Sequence, residues 1–98
     1  MKKLRLGRTG LMVSASSFGA LPIQRLSFED AGHLLRKAYD NGINYFDTAN
    51  AYSDSEEKIG KALSDVRHDI ILSTKSGASD KATLLKHIEL SLRRMKTD

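Results

Sequence analysis

No cysteine occurs in the 98 residues, which excludes a disulfide frame, a thiolate metal site and a cysteine nucleophile within the chain. That composition is compatible with a reducing compartment, and a cytoplasmic location is expected. Proline occurs once and no segment is of low complexity, so nothing marks a linker. The length suits one small domain with a modest core. Long hydrophobic runs are also missing. "LMVSASSFGALPI" follows a basic start, but Ser14, Ser16, Ser17, Gly19 and Pro22 interrupt it. It is a poor signal-peptide core and too short and polar to span a bilayer, so no membrane association is expected. No HExxH, EF-hand or Cys/His ligand set is present, and no metal is expected. "GRTG" and "SGAS" lack the spacing of a phosphate loop or a dinucleotide fingerprint.

Acidic residues are absent from the first ten positions, where Lys2, Lys3, Arg5 and Arg8 supply the whole net charge of +4. From residue 11 onward, twelve basic and twelve acidic residues cancel. A nucleic-acid footprint would be a stripe along one face of the fold. A charged leading strand reads instead as a solvated edge, and no nucleic-acid partner is expected.

What is present is a regular alternation. "KLRLG", "RTG" and "LMVS" predict a hairpin over about residues 2–14. "ASSFGALPI" then predicts a strand ending at Gly19. Ser27 is a good N-cap, with Glu29 and Asp30 in the first turn of a helix. Phe28, Ala31, Leu34, Leu35, Ala38 and Tyr39 form its apolar stripe, and Gly42 stops it. "INYF" predicts a second strand, and Ser53 to Glu56 fits a capping box opening the helix "SEEKIGKALS". "DIILSTK" predicts a third strand. A helix over about Lys81–Met95 follows, with Leu84, Leu85, Ile88, Leu92 and Met95 as its stripe. Strand and helix thus alternate over about residues 15–41, 42–66 and 68–96, which predicts an α/β fold with a parallel sheet. Such a sheet has exposed edges, and self-association through them is an alternative role for the chain.

In parallel α/β folds the reactive groups sit at the carboxyl ends of strands. Asp47 ends the second strand and Lys75 the third. Period-2 alternation puts Tyr45 with Asp47, and Ile71 and Ser73 with Lys75, so the acid and the amine can share a face. Strands roughly 4.8 Å apart bring such groups into contact. Tyr52 lies in the following loop and can fold back over the same spot. A free phenol, with a pKa of about 10, is a poor acid near neutrality. A lysine beside it favours the phenolate, and a carboxylate keeps that lysine charged. A phenol so tuned donates a proton where negative charge develops on an oxygen. Taken singly, each residue has a plainer reading: a capping Asp, a packing Tyr, a snorkelling Lys.

"GINYFDTANAYSDSEEKIGKAL" followed by "IILSTK" resembles the aldo-keto reductase family, and "LGRTGLMVSASSFGA" resembles its N-terminal hairpin and first strand. The resemblance covers essentially the whole chain and implies the N-terminal part of a (β/α)8 TIM barrel. It also implies reduction of aldehydes or ketones to alcohols with a nicotinamide cofactor, usually NADPH, with NADH as the alternative, and a small-molecule carbonyl substrate. By resemblance Asp47, Tyr52 and Lys75 match three of the family's four catalytic positions: Tyr52 as general acid, Lys75 as its activator, Asp47 as the holder of Lys75. Gly19 and Ala20 match the loop that lies against the cofactor, and Asp47 approaches its ribose. The fourth position is a histidine ending the fourth strand, and the sequence stops at Asp98 before it. His33, His68 and His87 read as helix-surface or loop histidines that cannot stand in. The 98 residues are therefore expected to be a truncated portion, inactive alone.

Overall fold

The computed structural model describes residues 1–98. Strands β1 (Lys3–Arg5) and β2 (Met12–Ser14) pair antiparallel, Leu4 opposite Val13. Their connection holds Gly7 and Gly10, both at positive φ where other residues pay a steric penalty. Strands β3 (Phe18–Gly19), β4 (Tyr45–Asp47) and β5 (Ile71–Ser73) form a parallel sheet in that order. The register sets Gly19 beside Asp47 and Asp47 beside Ser73, so all three strands end level. Asn44, one residue before β4, joins the hairpin to the amino end of this sheet. Its side chain accepts from Ser14 N at 2.7 Å and donates to Met12 O at 2.9 Å. The hairpin thereby closes one end of the sheet and leaves the carboxyl ends open.

Helix α1 spans Phe28–Asp40, α2 Ser55–Leu63 and α3 Lys81–Arg94. As expected, Ser27 caps α1 by accepting from Asp30 N at 3.0 Å, and Gly42 follows its end at φ +99°. Asp80 caps α3 in the same way, accepting from Thr83 N at 2.8 Å. The core gathers around Phe46, which is fully buried on the helix side of the sheet with Ala20, Ile23, Ala31, Leu35, Ile59, Leu63 and Ile70. Phe18 packs on it, ring centroids 5.6 Å apart. Because Phe46 faces the helices, alternation turns Tyr45 and Asp47 to the opposite face of the sheet.

Strand β3 ends at Gly19 as expected, and the chain continues as a short 3₁₀ helix over Leu21–Arg25, with Pro22 in its first turn, where its missing N–H costs nothing. Two expectations are corrected. The Ser53–Glu56 capping box does not form. Asp54 is the N-cap of α2 and makes no side-chain cap bond, and Ser53 adopts φ +38° and donates to Gln24 Oε1. Longer-range partners take the polar groups that a local cap would have used. Finally, the stripe of α3 is largely uncovered: Leu84, Leu85 and Ile88 are 41%, 50% and 45% exposed, whereas Met95 is buried. Leu34 of α1 is likewise exposed. No helix is long and apolar enough to cross a membrane.

Candidate functional site

The open mouth of the sheet collects the polar groups. Asp47, the last residue of β4, lies opposite Ser73, the last of β5. Ser73 Oγ donates to Asp47 Oδ1, and Lys75 Nζ donates to Asp47 Oδ2 at 3.0 Å. A second bond runs from Lys75 Nζ to the Thr48 carbonyl at 2.7 Å. The ammonium is thus fixed by a carboxylate and a backbone oxygen on the neighbouring strand. It lies over the Tyr52 ring, 5.0 Å from the centroid, within the range of a cation–π contact. Tyr52 itself sits where two turns meet, its N–H donating to Ala49 O and its carbonyl accepting from Ser55 N.

The electrostatics follow from these contacts. Partial desolvation pushes the Asp47 pKa up, but the hydrogen bonds from Ser73 and Lys75 outweigh it and hold the carboxyl below its ordinary range. The hydrogen bond to Asp47 raises the Lys75 pKa, against a weaker desolvation penalty, with a smaller upward push from Tyr52. Both effects keep the pair ionised at neutral pH. The Lys75 side chain is 52% exposed and that of Asp47 44% exposed, so solvent weakens the pair.

Asp47, Tyr52 and Lys75 are therefore brought together, with Tyr52 offering its ring face to the ammonium. Gly19 stands at the same mouth beside Asp47, and a Cβ built on it would meet nothing within 4 Å. Ala20 is buried in the core, and its carbonyl accepts from Ser55 Oγ at 3.1 Å. His33 is on α1 and His68 in a 3₁₀ helix over Ser64–Asp69. His87 has a more specific setting: its Nδ1 is hydrogen-bonded to Ser76 Oγ. With Thr74, Lys75, Leu84, Ile88 and Ser91 this pair lines a cleft of about 250 Å3.

Several participants were not singled out from the sequence. Ser73 could have been, since it shares the face of Lys75 and pairs with Asp47. Glu56 carried a misleading signal, because its position three residues after a serine matched a local cap. It is buried instead, accepting from Thr74 Oγ1 at 2.8 Å and from Arg94 Nη1 at 3.1 Å. Thr74, Arg94 and Asn50 gave no local signal, as their partners are distant in the chain.

The family model described as "Aldo/keto reductase family" matches residues 11–98. The "Probable voltage-gated potassium channel subunit beta" of Oryza sativa subsp. japonica is 38% identical, over 95% of this chain and 32% of its own. The L-galactose dehydrogenase of Arabidopsis thaliana is 37% identical, over 95% of this chain and 34% of its own. Among solved structures, the holo form of an aldo-keto reductase from Bacillus halodurans superposes with a TM-score of 0.88 at 34% identity, covering 100% of this chain and 37% of that one. The chain spans about a third of the length of the curated relatives it matches. Its hairpin and three βα units correspond to the N-terminal part of the reductase barrel, and the chain belongs to the aldo/keto reductase family.

Proposed function

We propose that the chain carries the proton-transfer half of an NADPH-dependent reductase of aldehydes or ketones. The observation that carries this reading is Lys75 Nζ, pinned between Asp47 and the Thr48 carbonyl and held over Tyr52 at the open strand ends. The nicotinamide cofactor, when bound, supplies the hydride that the carbonyl carbon accepts. Gly19 suits such a neighbour, since nothing lies within 4 Å of where its Cβ would stand at the strand end; it would lie against the cofactor with the Ala20 backbone and Asp47. Tyr52 then gives its hydroxyl proton to the carbonyl oxygen as charge builds there, completing the alcohol. Lys75 offsets the negative charge left on the phenol, and Asp47 keeps Lys75 charged and aimed.

Residues 2–14 serve in this reading as the barrel's end-closing hairpin, and 15–41, 42–66 and 68–96 as its first three βα units. His87 is engaged by Ser76, and no histidine is hydrogen-bonded to Asp47, Tyr52 or Lys75, so the 98 residues alone are expected to turn over feebly. Two assays test the reading. The isolated chain, given NADPH and a panel of aldehydes and ketones, should show no appreciable cofactor oxidation; robust turnover would contradict this. The same 98 residues, exchanged for their counterpart in the Bacillus halodurans reductase, should support turnover. Tyr52→Phe in that chimera should reduce it by roughly 100-fold or more. A folded chimera indifferent to Tyr52→Phe sinks the assignment.

A second reading is a non-enzymatic module that self-associates. It is favoured by the open edges at β3 and β5 and by the uncovered Leu84, Leu85 and Ile88 of α3.

A further inference from the structure

We infer that Glu56 and Arg94 are positioning residues, whose partly buried ion pair holds the Tyr52 loop and the Lys75 strand end in the arrangement that brings ring and ammonium together. The inference rests on the reading of Tyr52 and Lys75 as the proton-transfer pair. Glu56 lies in the first turn of α2 with its side chain 1% exposed, against 24% for Arg94. One of its oxygens accepts from Thr74 Oγ1, on the residue before Lys75, and the other from Arg94 Nη1. The same Arg94 nitrogen donates to the Asn50 carbonyl at 3.2 Å, and Asn50 N donates to the Lys75 carbonyl at 2.9 Å. The contacts form a closed circuit: Glu56 to Thr74, along the chain to Lys75, across to Asn50, through Arg94 and back to Glu56. Asn50 and Glu56 bracket Tyr52 on its loop, while Thr74 and the Lys75 carbonyl fix the base of the Lys75 side chain.

Three further contacts hold the circuit. The Asn50 side-chain amide donates to Ser91 Oγ at 3.3 Å and reaches His87 O at 3.5 Å, tying the loop to α3. Arg94 also pairs with Glu57 Oε1 at 3.5 Å. Arg94 can reach the circuit because α2 and the end of α3 nearly touch at Gly60, where a Cβ would stand 2.2 Å from Arg94 O. Glu56 is desolvated and Arg94 partly so, and that desolvation offsets much of the attraction within the pair. The fixed geometry that it imposes on the strand mouth accounts for its place here.

The test reads geometry rather than turnover, so it can fail or succeed independently of the reductase assignment. In NMR spectra of the 98-residue chain, the Tyr52 ring should shift the Lys75 ε-methylene protons upfield, and Tyr52→Leu should abolish that shift. Glu56→Gln and Arg94→Lys, each keeping near-native size, should reduce the Tyr52-dependent shift by half or more while amide signals elsewhere persist. Asp65→Asn, which breaks the exposed Arg36–Asp65 pair, should leave it intact. Retention of the full shift in either folded variant overturns the inference. If one variant unfolds, the other decides. Unfolding of both also overturns it, by making the pair a general support of the chain. A Lys75 signal indifferent to Tyr52→Leu removes the contact itself.

Discussion

At Asp47 and Lys75 two opposite shifts share one hydrogen bond. The folded Asp47 pKa lies below its ordinary 3.8, so its contribution is present above that value and is lost as pH falls through the lower folded pKa. The folded Lys75 pKa lies above its ordinary 10.5, so its contribution is present below that value and is lost as pH rises through the higher folded one. Asp47→Asn should therefore lower the urea midpoint by a constant amount across the neutral range. The difference from the parent chain should shrink below about pH 4 and again above about pH 10. Because both side chains are about half exposed, the plateau difference should be small, of the order found for solvent-screened pairs, up to about 1 kcal/mol. A midpoint difference that stays unchanged at both extremes would show that the pair does not titrate as a unit.

Among the elements, α2 is the one fitted most closely to its neighbours. Its first turn gives Ser55 to Ala20 O and Thr48, Glu56 to Thr74 and Arg94, and Lys58 to Ile23 O and Asp54. All but Lys58–Asp54 tie α2 to other parts of the chain, and that one takes the carboxylate of Asp54, the N-cap residue, so the helix starts without a side-chain cap. Gly60 sets the distance to α3. Its replacement by alanine gains roughly 1 kcal/mol of helix propensity, but the new Cβ would lie 2.2 Å from one backbone oxygen and 2.9 Å from the Met95 backbone. Backbone cannot move aside as a side-chain tip can, and overpacking of this kind costs about 1–3 kcal/mol. Gly60→Ala should therefore destabilise in urea unfolding. Gly32→Ala, inside α1 with nothing within 4 Å of its Cβ, should stabilise by up to about 1 kcal/mol. Equal signs for the two substitutions would sink the close-approach account.

Over the whole molecule, one side of the sheet is finished and the rest is open. Phe46 and its neighbours form a continuous core with α1 and α2, while β3 and β5 are edges and the face of α3 carries three half-exposed aliphatic side chains. Unpaired strand edges and exposed apolar surface favour association between copies. Sedimentation velocity on the isolated chain should therefore show a concentration-dependent shift from monomer toward dimer. Leu85→Lys should move that equilibrium back toward monomer. A compact monomer at every concentration would end the self-association reading and leave the reductase reading untouched.

The order of strands and helices, the Ser27 cap, the Gly42 stop and the meeting of Asp47 with Lys75 were legible in the sequence. Each rests on short-range periodicity, or on the rule that parallel strands end their side chains on a common mouth. The fate of Glu56 was not. A serine followed by glutamate reads as a local cap until Thr74 and Arg94, far along the chain, come within reach and take both carboxylate oxygens. The exposure of α3's stripe and the ring-first approach of Tyr52 to Lys75 were hidden for the same reason. A side chain's pattern shows which face it occupies, but only the packed neighbours decide what it touches.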